Sequence, residues 1–371
     1  MKNFFLRHKK LHLWLLADLV LLALFVLLRG SRAAMNGFVS NFSTPIRRFI
    51  GKLCYRVDFS VAELLCVLLV LAVIAYVIWS VAAVARAEKE KRGRRAYTAV
   101  LGAACGALTL GAVFCWFWGA DYYTDSFQEQ SGICAQPVAA EDLLRVTLYF
   151  AQQTALTAGS VDRDENGVFA VPREEILAES PYAYDALEEQ FPFLTFGDLG
   201  VKPIRLSRVM SALDFTGVYC PYTGESNVNM DSPACMLPAT AAHEMAHQRG
   251  YASEQECNFL GILAATTCGN DAYVYSGWLL GYIYLGNALY RVAPDTYWAI
   301  RRALPETVEA DLAENSAYWD QFRDTAAQKV SNKVYDGMLK AYGQEQGIQS
   351  YGTVVDMLVV YYRDVAARAL Q

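Results

Sequence analysis

Five residues carry the clearest chemistry in this chain: His243-Glu244-Met245-Ala246-His247, the pattern H-E-x-x-H. On a helix, residues four apart share a face, so both imidazoles project to one side. Two neutral imidazoles at that spacing can hold a Zn²⁺ ion, and Glu244 is placed to act as general base on an attacking water. The whole chain has four histidines, His8, His12, His243 and His247, so both of those in the C-terminal region fall inside the motif. Two histidines on a packed or solvated helix face would need no metal; the histidine count is what weighs against that alternative.

A catalytic zinc takes three protein ligands and keeps one position open. The longer pattern H-E-x-x-H-x-x-G-x-x-H is followed through Gly250, but its last position is Ser253, so no third histidine is available. A carboxylate is expected instead. Glu254 and Glu256 are the nearest downstream, with Asp271 and Cys257 as more distant candidates. Each glutamate also has a purely structural use: Ser253 and Glu256 form a capping-box pattern, and Glu254 suits the first turn of a helix. Glu256 is placed ahead of Glu254, which stays as the alternative third ligand.

These residues need positioning elements. Leu237-Pro238 suits the opening of a helix that carries the motif, and Gly250 suits its end. Ser253 to Glu256 opens the next helix, which continues apolar through Thr267. Ahead of the motif, Thr216 to Met230 mixes β-branched and aromatic residues with Pro221 and Gly224, and predicts a short hairpin or extended segment. An edge strand beside the motif helix would suit binding of substrate backbone, with Asn227 and Asn229 as substrate-binding candidates; a hairpin that only packs on the helix is the alternative. Helical spacing also runs over Ala140 to Leu156, through short stretches between Glu174 and Glu189 and between Arg205 and Leu213, and near Val354 to Leu370. Asp162 to Gly167 matches the opening of a calcium loop, but Arg173 stands at the twelfth position, where a bidentate Glu belongs, so a plain Asn-Gly turn is expected.

The first 120 residues have a different character. Of the 371 residues, 54% are hydrophobic, and the excess is concentrated in three N-terminal stretches of membrane-spanning length, about 11–28, 61–84 and 97–120. A cleaved signal peptide competes for the first, but its apolar run is long and no clean small-residue cleavage site closes it. The third carries Gly102, Ala103, Ala104, Gly106 and Gly111, which suit close helix packing. The segment Tyr273 to Val292 is also long and apolar; its five tyrosines, three glycines and Asn287 argue for a buried helix rather than a fourth span.

Lys2, Arg7, Lys9 and Lys10 precede the first span, and six basic residues from Arg86 to Arg95 lie between the second and third. Both segments are therefore expected in the cytoplasm, which puts the C-terminal domain outside. The first link is also basic, from Arg29 to Arg56, and Phe38 to Arg56 would suit a membrane-surface segment. The net charge of −6 and the lack of a basic, aromatic-rich patch in the C-terminal region argue against nucleic acid, so no nucleic-acid partner is expected. Of five cysteines in that region, Cys220 and Cys235 could close a loop if oxidised.

Three strings together resemble a family: Thr223-Gly224-Glu225-Ser226-Asn227-Val228-Asn229, the motif run from Leu237 to Gly250, and Glu254-Gln255-Glu256-Cys257-Asn258-Phe259. Phe59-Ser60, Asp121-Tyr122-Tyr123 and Tyr275-Ser276-Gly277 are similar too. The chain resembles the bacterial membrane family catalogued as domain of unknown function 3810. That resemblance implies a multi-span anchor and a zinc-peptidase-like C-terminal domain. The glutamate pair is also similar to the third-ligand region of peptidases related to the ImmA/IrrE group, which implies Glu256 as ligand; Cys257 stands where alanine is usual.

The expectation is thus a mainly α protein: a three-helix membrane anchor over residues 1–120, then an α-rich zincin-like extracytoplasmic domain over 121–371 with a short β hairpin or edge strand. The expected function is a zinc metallopeptidase in the bacterial cell membrane acting on a peptide or protein substrate. Glu244 would be the catalytic base and His243, His247 and Glu256 would hold one Zn²⁺. Tyr219, Tyr222 or a tyrosine between Tyr273 and Tyr284 would steady the oxyanion. The competing reading is a metal-stabilised envelope sensor or scaffold that cuts nothing.

Overall fold

A computed structural model describes residues 7–197, 199–344 and 351–371. The chain is mainly helical with a small three-stranded sheet, and it divides into two compact units. The first comprises residues 1–50, 61–124 and 221–223; the second comprises 51–60, 125–220 and 224–371. Residues 51–60 thus belong to the second unit, and 121–124 and 221–223 to the first.

In the first unit, α1 (Lys9–Leu28), a short helix Arg32–Phe38 and α2 (Thr44–Cys54, whose last residues fall in the second unit) precede α3 (Val61–Ala85) and α4 (Lys89–Phe117). Helices α1, α3 and α4 are long and apolar enough to cross a membrane, and most of their side chains are not buried by protein. Polar groups of the first and third are paired with each other, as a low-dielectric surrounding favours. Asp18 accepts a hydrogen bond of 2.9 Å from the Thr109 hydroxyl, and the Trp116 indole donates to the Leu21 carbonyl at 3.1 Å. The third span ends earlier than its composition suggests, at Phe117, and a 3₁₀ turn over Gly119–Tyr123 follows. In that turn Asp121 is buried and takes both terminal nitrogens of the Arg47 guanidinium, at 2.6 and 2.9 Å. The two charges neutralise each other.

In the second unit, α5 (Ala140–Thr157) precedes the strands β1 (Val201–Ile204), β2 (Gly217–Cys220) and β3 (Glu225–Asn229). The order is β1-β3-β2, with β1 parallel and β2 antiparallel to β3. The hairpin β2–β3 is the one expected. Strand β1 is not legible in the sequence: it is four residues long and contains Pro203, which suits only an edge. After the sheet come α6 (Leu237–Gln248), α7 (Glu254–Thr267), α8 (Asp271–Val292), α9 (Glu306–Asp320), α10 (Ala326–Ala341) and α11 (Tyr351–Ala369). Helices α5, α6, α7, α8 and α11 share one core, in which Phe150, Phe259, Leu263, Tyr275, Leu279 and Leu358 are fully buried. The apolar segment from Tyr273 is thus the central helix of this unit. The Asp162–Gly167 stretch is a turn: Asp164 accepts from the backbone N–H of Asn166 and Val168, both at 2.9 Å. All nine cysteines are free thiols.

Candidate metal centre

Helix α6 is buried along nearly its whole length, packed between the sheet and helices α7 and α8. Its end is set by Gly250, whose φ of 102° lies in the left-handed region where a side chain would be strained. That reversal returns the Tyr251 carbonyl to the ring of His247, 2.7 Å from Nδ1. A carbonyl can only accept, so Nδ1 carries the proton and the Nε2 lone pair faces the other way. Helix α7 then packs tightly on α6: a Cβ at Gly261 would lie 2.9 Å from the His243 backbone nitrogen.

This packing delivers one carboxylate to the two imidazoles, and it is Glu254. His243 Nε2 lies 3.3 Å from Glu254 Oε2, and His247 Nε2 lies 3.4 Å from Oε1. The three candidate ligand atoms all fall within 4.8 Å of one another. For zinc bonds of about 2.0–2.1 Å, the edges of a regular tetrahedron are about 3.3–3.4 Å. Each imidazole nitrogen lies about one such edge from a different oxygen of Glu254, and the donor set of two imidazoles and one carboxylate suits zinc, so the residues fit the ion.

Glu256 is placed elsewhere. Positions 254 and 256 are about 200° apart around a helix, so one face cannot present both. Glu256 is buried and accepts a hydrogen bond from the Gln128 backbone N–H at 3.1 Å, at the start of the short helix Phe127–Ser131. Burial raises its carboxyl above the usual range although backbone N–H groups of Gln128 and Phe127 oppose the shift. Ser253 makes no side-chain cap, so the capping box does not form either. The preferred third ligand from the sequence is thus a structural anchor here, and the second choice faces the histidines.

The charges around the histidines call for a cation. Burial opposes ionisation of Glu254, but His247 and His243 outweigh it and hold the carboxyl well below the usual range. Burial likewise disfavours a charged His247 ring, yet Cys257 and Glu254 outweigh it and raise its pKa well above the ordinary value. In the metal-free protein, a proton on His247 stands where positive charge is wanted.

Glu244 is buried against β2. A Cβ at Gly217 would lie 2.5 Å from Glu244 Oε1, so only glycine leaves room for this carboxylate. Burial pushes its carboxyl up to about 7, against the lowering effect of both motif histidines and a backbone hydrogen bond from Tyr219. Its Oε2 is buried with no hydrogen-bond partner among the described residues. A half-satisfied buried carboxylate beside a ligand cluster is the arrangement expected of a proton acceptor.

The substrate-binding candidates lie on the middle strand. Asn227 and Asn229 are fully buried. Asn229 Nδ2 donates to the Ser211 hydroxyl and the Phe215 carbonyl, both at 2.9 Å. Asn227 Nδ2 donates to the carbonyls of Glu225 and Val218, at 3.1 and 3.3 Å. Both brace the hairpin; the edge strand beside Glu244 is β2. Of the tyrosines named above, Tyr273 donates to the Ile176 carbonyl at 2.8 Å, Tyr275 to Asp311, and Tyr222 to the Leu110 carbonyl at 3.0 Å. A hydroxyl that reaches the centre is that of Tyr335 on α10, which donates to Glu254 Oε1. Gly217 and Tyr335 are the site residues that sequence reading missed: neither lies in the motif, and no local pattern marks them.

Three membrane-length helices, together with a helical unit holding an H-E-x-x-H helix and a converging carboxylate, define a membrane protein with a candidate metal-binding domain. More particularly, the chain belongs to the family described as protein of unknown function DUF3810, which matches residues 38–359. No curated protein and no solved structure matches the chain.

Proposed function

We propose that this protein is a membrane-anchored zinc metallopeptidase whose ligands are His243, His247 and Glu254. The observation that carries this reading is the convergence of three ligand atoms beside a buried, half-satisfied carboxylate. A bound zinc would supply Lewis acidity and ease deprotonation of water at the site. Glu244 takes the proton from the attacking water and passes it to the leaving amine, and its raised pKa near neutrality suits both steps. An extended peptide lying along β2 brings a scissile carbonyl towards this carboxylate. The basic residues from Arg86 to Arg95, which follow α3 and fill the first turns of α4, support an orientation with the catalytic unit outside the cytoplasm.

The test uses the full chain in detergent, because residues 51–60 are part of the second unit. The wild type is expected to hold about one zinc per chain. Glu254→Gln loses it, while Glu256→Gln and Glu244→Gln keep it. Against an extended-peptide library, Glu244→Gln lowers cleavage by about 10²- to 10⁴-fold, the usual contribution of a general base. A wild type that takes up no zinc from solution rejects the reading, and zinc lost only in Glu256→Gln restores the sequence-based ligand set.

A further inference from the structure

Helix α10 is held in place in an unusual way. A surface helix normally turns its apolar stripe inward. Here the inward-facing positions are Gln328, Ser331, Asn332, Tyr335 and Leu339, of which only Leu339 is buried. Val330 and Val334 point outward, at 64% and 69% exposure. Ties to the rest of the unit include hydrogen bonds near solvent. Gln328 Nε2 and Asn332 Nδ2 each donate to Asp214 Oδ2 at 3.0 Å, and the Ser331 hydroxyl donates to the Leu213 carbonyl at 2.8 Å. The Tyr335 ring meets Phe215 edge to face, and its hydroxyl reaches Glu254. Asp214 and Phe215 lead directly into β2, the strand against which Glu244 packs. Both ends of α10 are marked by left-handed backbone: Asp324 at φ 62° before it and Gly343 at φ 87° after it. Short segments at element ends that absorb backbone rotation are where lids hinge.

We propose that Tyr335 is a positioning residue for the third metal ligand and that α10 is the lid that delivers it. With α10 seated, the phenol holds Glu254 Oε1 and leaves Oε2, the oxygen nearer His243, to the cation. With α10 lifted about Asp324 and Gly343, the carboxylate loses its orienting partner and the approach to β2 opens. Metal retention and peptide entry are thereby tied to one helix. The inference rests on the metal-centre reading above.

Two readouts on the full chain in detergent test it, with Zn²⁺ alone as the probe. Tyr335→Phe removes the latch while keeping the ring against Phe215. In zinc-free protein, amide exchange over 326–341 is expected to rise about 10- to 100-fold, the worth of a hydrogen bond to a charged group, with α6 and α7 unchanged. Zinc affinity falls about 10-fold or more, as when a ligand loses its orienting partner. Gln328→Ala with Asn332→Ala, which touches neither histidine nor Glu254, moves both readouts in the same direction. Unchanged exchange in Tyr335→Phe overturns the latch. Faster exchange with unchanged zinc affinity overturns the positioning role. A wild type that binds no zinc overturns the metal-centre reading and this inference with it. The zinc-free exchange data then still show whether the tie to Glu254 holds the helix, so the two failures are told apart.

Discussion

Two buried charge clusters flank the same hairpin, and they are finished differently. In one, the Lys202 ammonium donates to Glu225 Oε1 at 2.8 Å and to the carbonyls of Cys54 and Phe59 at 2.7 and 3.0 Å, so all three of its donors are committed. In the other, two imidazole nitrogens face one carboxylate, and the neighbouring Glu244 keeps an oxygen without a partner. Burial penalises both clusters, yet only the first is closed. A closed cluster fixes structure: it ties residues 54–59 to β1 and β3. An open one holds free energy in reserve for whatever completes it, which is why perturbed, incompletely paired groups collect at functional sites.

The largest effect should come from breaking the closed cluster. Glu225→Gln leaves the Lys202 ammonium buried without its counter-charge, which typically costs about 3–5 kcal/mol. Thermal unfolding of the full chain should show the loss, and Lys202→Met combined with Glu225→Leu should recover most of it, because removing both charges also removes the desolvation penalty. A cost below about 1 kcal/mol, the level of an exposed pair, would mean that water reaches this cluster and that the contrast with the metal centre is not one of closure.

The open cluster should show itself through pH. The Glu244 carboxyl is raised to about 7 by burial, from an ordinary value of 4.5. The folded chain therefore keeps a proton that the unfolded chain releases above 4.5. The stability this contributes is complete below 4.5 and is lost as pH rises through 7, on the order of 3 kcal/mol. His247, also raised, acts in the same direction, whereas the lowered Glu254 contributes stability that is lost on acidification. Denaturation of zinc-free protein from pH 5 to pH 8 should show declining stability, and Glu244→Gln should flatten the decline without abolishing the His247 part. An equal slope in wild type and Glu244→Gln would show that this carboxylate is not desolvated. Zinc affinity should run the other way and rise with pH, since the cation displaces the proton on His247.

How much of this was legible beforehand follows from how local each signal is. The motif helix, its stop at Gly250, the hairpin, the three spans and the buried nature of α8 all have cues within one or two turns of chain. The choice between Glu254 and Glu256 does not. The sequence offers two acids and a capping-box pattern, but which one meets the histidines depends on how α7 is rotated against α6, and that is set by packing at Gly261. Asn227 and Asn229 are a related case: the sequence marks the hairpin, but only the sheet order shows that their strand is the middle one and not the edge. Tyr335 is 81 residues from its partner Glu254, and no spacing rule reaches that far.

The smallest expected effect decides between the peptidase and a closed, purely structural metal site. Cys257 is the one thiol near the centre, and a fourth protein ligand would leave no open position for substrate or water. Its sulfur lies 3.2 Å from His247 Nδ1 and 3.1 Å from the Tyr251 carbonyl, on the side of the ring away from Glu254. Burial pushes the thiol up to about 12, so at neutral pH it is protonated and serves as a weak donor rather than a thiolate ligand. Cys257→Ala, which supplies the residue expected from the family resemblance, removes that weak bond. The stronger contact from His247 Nδ1 to the Tyr251 carbonyl remains. Zinc affinity should therefore change by less than about 3-fold, well short of the 10-fold or greater loss seen when an orienting partner goes. A loss of 10-fold or more, together with a cobalt-substituted protein that shows sulfur-to-metal charge transfer in the wild type and not in Cys257→Ala, would place the sulfur on the metal. The centre would then be closed like the Lys202 cluster, and the scaffold reading would replace the peptidase.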